Sequence, residues 1–407
     1  MNKDTSLQKT PSIISRLRDA THINLYNIGS TLHNHSDNNP ATLRSRYYHA
    51  FPKIIIGVND WRPRMGTFPS PYGQTGSPLY APPKLEFIND KLSDLLDERA
   101  HEIYHLAKKQ NKKITVMWSG GIDSTLVLTA LLKNIPYNEQ PDLLSVTLNT
   151  TSILENTQFF LKFISKRLKI TSSTAFVMSP EILKKNIILH GDPADCLFGP
   201  STPKYKEFIA EGIHKEPWKK HQQRMIQSLE PTKSTYGWEL PGLANWFITE
   251  VSNNIKEVGV DDYVSTVSDW WWWTYFNFKW ACSCVRPFFN YREEPYAPIS
   301  YSLQKDYAET TFFNTPKFNL WTYSNLKTLI PDNLINHKRE AKQYIFEFDH
   351  NKDYFEYKPK LGTVAPSLLR KLHSPMFFDS EWRPVSFWYA NARNTVSLMN
   401  QYFNKQQ

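Results

Sequence analysis

Between residues 113 and 133 the chain passes from an apolar run into a glycine pair and then into a helical pattern. No other feature limits its fold as much. Lys113-Ile114-Thr115-Val116-Met117-Trp118 reads as a buried strand and Ser119-Gly120-Gly121-Ile122-Asp123 as a tight turn. Residues 124–133 follow as a helix, closed by Asn134 and Pro136. The alternation extends to both sides. Leu85, Ile88, Leu92, Leu95, Leu96, Ile103 and Leu106 recur at helical spacing and predict a helix over 85–109. Downstream, the pattern predicts a strand over 143–148 and a helix over 155–168 with Phe159, Phe160, Phe163, Ile164 and Leu168 on its apolar side. A strand over 174–178, a helix opened by Ser179-Pro180-Glu181 and a strand over 187–189 complete the series. Strands alternating with helices predict an α/β fold, a mostly parallel sheet with helices on both faces. Ligands in such a fold lie at the carboxyl ends of the strands.

Three regions follow. Residues 1–84 form an extension of unassigned role, with a candidate strand at Ile54-Ile55-Ile56-Gly57-Val58 and a Pro- and Gly-rich loop over 61–84. Residues 85–200 are the α/β core. Residues 201–407 are helical and rich in aromatics. There, Trp270-Trp271-Trp272-Trp273, with Tyr275, Phe276, Phe278 and Trp280, reads as a buried core helix rather than a cofactor box.

The turn itself suggests chemistry. Gly120 and Gly121 let the backbone approach a ligand without side-chain clashes. The N–H groups of the turn and of the first helical residues form a nest suited to phosphate or pyrophosphate. Ser119, Ser124 and Thr125 add hydroxyls. Asp123, an anion in an anion site, makes sense as a holder of Mg²⁺ against the phosphates. None of the 14 glycines is followed by Lys, which excludes the Gly-Lys phosphate loop.

The string Ser119-Gly120-Gly121-Ile122-Asp123-Ser124 resembles the Ser-Gly-Gly-x-Asp-Ser signature of the PP-loop ATP pyrophosphatases, with their adenine nucleotide alpha hydrolase-like fold. A second run, His190-Gly191-Asp192-Pro193-Ala194-Asp195-Cys196-Leu197-Phe198-Gly199, resembles the second signature of the asparagine synthetases. Gly191, Asp195, Leu197, Phe198 and Gly199 match it. Asp192 stands for a Glu, Pro193 for a Gly, Cys196 for a Glu and Pro200 for a Gly. The resemblance implies ATP on residues 119–125 with Gly191, and adenine against the strand ending near 146–149. It also implies Mg²⁺ on Asp123 and Asp195, and Asp192 near the reacting centre. Glu309-Thr310-Thr311-Phe312-Phe313-Asn314 and His337-Lys338-Arg339-Glu340-Ala341-Lys342 are similar to later family runs. In the second of these Lys338 fits a catalytic Lys and Lys342 an Arg, although a surface role for Lys338 fits the sequence as well.

The implied activity is an AMP-forming carbon–nitrogen ligase that adenylates a small carboxylate for attack by ammonia or an amine. The glutaminase half of the family is not expected. The chain begins Met1-Asn2, and no cysteine precedes Cys196. Ammonia would then be free, come from a separate glutaminase, or be replaced by an amine on a substrate. The formal charge of +9 and the aromatic content of 14% leave open a rival, modification of a nucleic-acid base such as one in tRNA. Against it stands the lack of any Cys-x-x-Cys among Cys196, Cys282 and Cys284. A third possibility is a non-catalytic nucleotide-binding scaffold. Three cysteines do not make a disulfide framework or a four-ligand zinc site. No apolar stretch reaches the roughly 18 residues needed to cross a bilayer, and residues 1–20 lack a signal-peptide core. A cytoplasmic protein without a membrane partner is expected.

Overall fold

Strand β1, Lys113–Met117, lies inside a four-stranded sheet with β2 (Leu144–Leu148) on one side and β4 (Asn186–Leu189) on the other. Strand β3, Lys169–Ser172, pairs outside β2. All pairings are parallel, with Val116 opposite Val146 on one flank and Leu189 on the other. The order β3-β2-β1-β4 makes the chain leave β1 toward one side and return to β4 on the other. The carboxyl ends of β1 and β4 therefore flank a topological switch point, where α/β sheets open a crevice. Every residue of β2 and the last three of β4 are buried, as strands covered on both faces must be. The computed structural model describes residues 63–67, 80–172, 179–199, 203–230, 241–281, 283–284, 301–330, 336–358, 377–378 and 384–386.

Local chemistry explains most element boundaries. Helix α1, Leu92–Gln110, starts seven residues later than its apolar periodicity predicts. Leu85 and Ile88 still pack on the core, but the Ile88 N–H donates to Ser324 Oγ at 2.8 Å, so the periodicity marked burial rather than helix. Helix α2, Ile122–Asn134, follows the glycine turn and includes Asp123 in its first turn. The helix expected over 155–168 is divided. Helix α3, Thr150–Glu155, is capped by Asn149, whose side chain accepts the Ser152 N–H at 3.0 Å. Asn156 then recaps the chain, and a π-helical turn, Phe160–Ile164, completes the segment. Helix α4, Pro180–Lys185, opens as predicted, with Ser179 Oγ accepting the Ile182 N–H at 3.3 Å. The strands expected at 54–58 and 174–178 lie outside the described residues; the third strand observed is β3.

Beyond β4 a short helix α5, Ala194–Leu197, leads into the helical part. There α6 (Leu243–Val258) and α7 (Val267–Trp273) are joined by α8 (Pro316–Asn325) and α9 (Arg339–Asp349). Helix α7 continues as a π-helical segment, Thr274–Lys279. Its four tryptophans are at most 1% exposed. A ring of that size buries roughly 200 Å², worth about 5 kcal/mol of transfer free energy before entropy is counted. Trp272 Nε1 donates to Thr322 Oγ1 at 3.0 Å, and that hydroxyl donates to Leu197 O at 2.6 Å, tying the tryptophan helix to α5. Helix α9 packs on α2, which brings residue 338 toward the first turn of α2.

Residues 63–67 are threaded into the helical part. The buried Arg64 guanidinium donates to Tyr80 O (2.5 Å), Phe276 O (3.1 Å) and Asn319 Oδ1 (2.6 Å), and stands 4.2 Å above the Trp280 ring. Asn277 and Asn254 bind the backbone of Arg64, Met65 and Thr67. Among the described residues no helix is long and apolar enough to cross a membrane.

Candidate functional site

The turn after β1 is closed by its own hydroxyls. Ser124 Oγ accepts the Ser119 N–H at 3.0 Å and lies 2.9 Å from Ser119 Oγ, which accepts the Gly121 N–H at 3.3 Å. Gly120 takes a left-handed φ of 76°, and a Cβ there would strike the carbonyl oxygen of Ser152. Gly191, at the end of β4, comes so close to α2 that a Cβ would sit 2.5 Å from Asp123 C and Ser124 N. The glycine predicted to serve a ligand thus first serves the meeting of two loops. Thr125 is fully buried and accepts from the Trp118 indole at 3.1 Å. It braces the turn from within.

Four charged side chains meet where these loops touch. Lys338, expected as either a surface or a catalytic residue, is buried, with a side-chain exposure of 0%. Its Nζ donates to Asp123 Oδ1 and, at 2.6 Å, to Asp195 Oδ1. Lys279 Nζ stands 3.6 Å from Asp195 Oδ2 and 4.2 Å over the Tyr275 ring. Lys338 is the N-cap of α9 and has φ 60°, a conformation that residues with a Cβ rarely adopt. Buried ammonium groups persist only when paired, and here the carboxylates supply the pairing.

The remaining predicted residues take other positions. Asp192 is half-buried in the turn after β4. Its N–H donates to His190 Nδ1 at 3.3 Å, and burial, then Tyr80, then the charge of Asp192 hold the Tyr307 hydroxyl well above its usual pKa. Lys342, expected to resemble an Arg of the site, is fully buried and donates to Lys358 O at 3.3 Å; burial, then Arg339, lowers its pKa. Lys358 binds Glu155 O at 3.1 Å and Glu155 Oε1 at 3.2 Å, beside Gly120 and Gly121. Burial lifts the Cys196 thiol to about 12 although Lys279 pulls it down, so it stays protonated and unreactive at neutral pH. Cys282 lies outside the described residues.

Comparison of the chain with protein-family models, with curated proteins and with solved structures finds no match in any of the three.

Among the described residues no group of three or more His, Cys, Asp or Glu side chains could hold a metal ion. Two carboxylates do converge, since Asp123 and Asp195 each reach the same ammonium. That set fits Mg²⁺, which is commonly held by one or two carboxylates with water and substrate phosphates completing its shell. It does not fit a closed structural site.

Sequence reasoning missed Lys279, Glu155 and Lys358. Lys279 had a usable signal. A lysine between Phe278 and Trp280 in a buried aromatic run must be paired, because an unpaired ammonium there costs too much. Glu155 and Lys358 had none, because their pairing spans a sequence separation of 203.

Proposed function

We propose that this chain is an ATP-dependent, AMP-forming carbon–nitrogen ligase of the PP-loop type, similar to the synthetase part of asparagine synthetases. The observation that supports it is the meeting of Asp123, Asp195 and Lys338 against a glycine turn at the switch point of a parallel sheet. In this reading the N–H groups at the start of α2 orient the phosphates of ATP. Asp123 and Asp195 hold Mg²⁺, which when bound offsets phosphate charge. Lys338 and Lys279 offset the charge that grows on the departing pyrophosphate. A carboxylate oxygen of the acceptor bonds to the α-phosphorus, and the bond to pyrophosphate breaks. Ammonia or an amine then bonds to the acceptor carbonyl, AMP leaves with the bonding pair, and the amine sheds a proton. Asp192 is assigned to the acceptor end.

Holding the partners in place and offsetting charge would supply most of the rate.

The test is AMP and pyrophosphate release from ATP and Mg²⁺ with a panel of carboxylates plus ammonia. Equal amounts of the two products, dependent on the acceptor and reduced by about 10²- to 10³-fold in Asp123→Ala, are expected. ADP as product, or full activity in the variant, would sink the proposal. The charge of +9 favours a second reading, a nucleic-acid acceptor such as tRNA. A salt-dependent gel shift, together with base-dependent AMP release, would select it.

A further inference from the structure

Lys338 stands between two carboxylates that arrive on different loops, one after β1 and one after β4. It is held there at some cost. Its ammonium is out of water and its backbone is left-handed at φ 60°. A surface ion pair would require neither. The second oxygen of Asp195 faces Lys279 at 3.6 Å, so the four side chains balance in formal charge.

We propose that the Lys338 ammonium is a resident cation in the seat of a divalent metal ion, exchanging with that ion while Lys279 keeps Asp195 in place. The inference rests on reading Asp123 and Asp195 as the metal carboxylates. The carboxylates themselves need move little. Lys338 Nζ lies 2.6 Å from Asp195 Oδ1, whereas Mg²⁺ binds oxygen at about 2.0–2.1 Å, so the carboxylates close in by roughly half an ångström. When the ammonium leaves and a divalent ion enters, the cluster gains positive charge beside a turn of N–H groups, which favours a polyphosphate. Phosphates arriving on the turn offer Lys338 new anions. Metal alone therefore competes with the protein's own cation, whereas metal with nucleotide supplies the anions that receive the lysine. The two ligands bind cooperatively because each removes the obstacle to the other.

The experiment is a Mn²⁺ titration of the full chain without nucleotide, read by the loss of the free-ion electron paramagnetic resonance signal. K338M should bind Mn²⁺ at least 10-fold more tightly than wild type. K338R, which keeps a cation in the seat, should stay close to wild type, and adding D195N to K338M should abolish the gain. If K338M binds no more tightly than wild type, the proposal is overturned. Should K338M fail to fold, K338Q, whose amide still spans the two loops, is measured by the same criterion. The outcome also separates this inference from the ligase reading. A tighter Mn²⁺ site in a chain that never releases AMP leaves the exchange standing and removes the ligase. AMP-forming turnover without any gain in Mn²⁺ affinity does the reverse.

Discussion

The two sides of the candidate site are built on different length scales. On the sheet side, Ser119, Gly121 and Ser124 close their turn with hydrogen bonds that reach no more than five residues along the chain. On the helical side the bonds cross the molecule. Lys338 reaches Asp123 over a separation of 215 residues, and Arg64 reaches Asn319 over 255. A local turn forms as soon as its own residues are ordered, whereas a distant lysine arrives only after most of the chain has packed. The turn is thus held by local bonds, and the cations above it by contacts of the complete fold.

Two substitutions should break that contrast if it is wrong. The largest effect is expected from Gly191→Ala. Its Cβ would meet backbone atoms at 2.5 Å, which cannot be relieved by turning a side chain. A loss of about 3 kcal/mol is expected from this overpacking, measured by urea unfolding. A neutral result would mean that the loops after β1 and β4 do not pack as described. Next comes Arg64→Met, which keeps bulk but leaves Tyr80 O, Phe276 O and Asn319 Oδ1 without their donor. About 2 kcal/mol should be lost, from acceptors left unsatisfied in the interior. If the helical side is as interlinked as the hydrogen bonds imply, the loss will appear as one cooperative transition rather than as a separate early unfolding step.

The smallest effect sharpens the comparison on the surface. Burial raises the Asp97 carboxyl, but hydrogen bonds from Lys133, Tyr344 and Asn134 outweigh it and hold the pKa below the usual 3.8. A carboxylate depressed in this way stabilises the fold above about pH 4 and loses that contribution as pH falls through its folded pKa. Lys133 is 41% exposed, so Lys133→Ala should cost no more than about 0.5 kcal/mol at pH 7. The gap in thermal midpoint between variant and wild type should shrink on acidification toward pH 3. A gap that widened there would reverse the assigned direction.

The parallel α/β sheet was legible because its signal is short-range. The apolar strand runs, the glycine pair and the cap at Ser179 each occupy fewer than ten neighbouring residues. Where a boundary depended on a distant partner, the sequence misled. Residues 85–91 carry helical spacing but give the Ile88 N–H to Ser324. The helix expected over 155–168 was blurred because Asn156, an ordinary polar residue by type, interrupts it with a side-chain cap. The tryptophan helix was readable as core, yet nothing in its composition announced that Lys279, at its π-helical end, would face Asp195.

By itself, then, the sequence determined a strand, a tight glycine turn and a helix start at 113–125, because steric limits on φ and ψ act within a few residues. It also determined that Asp123 and Asp195 follow strands, and so stand at the carboxyl ends of the sheet's strands. Only the tertiary structure decided that Lys338 would bridge these two carboxylates, that Lys279 would share Asp195, and that Arg64 would anchor residues 63–67 beneath Trp280. Those contacts join charges that are remote along the chain. Their energy depends on mutual distance and on exclusion from water, and neither quantity exists until the core has closed.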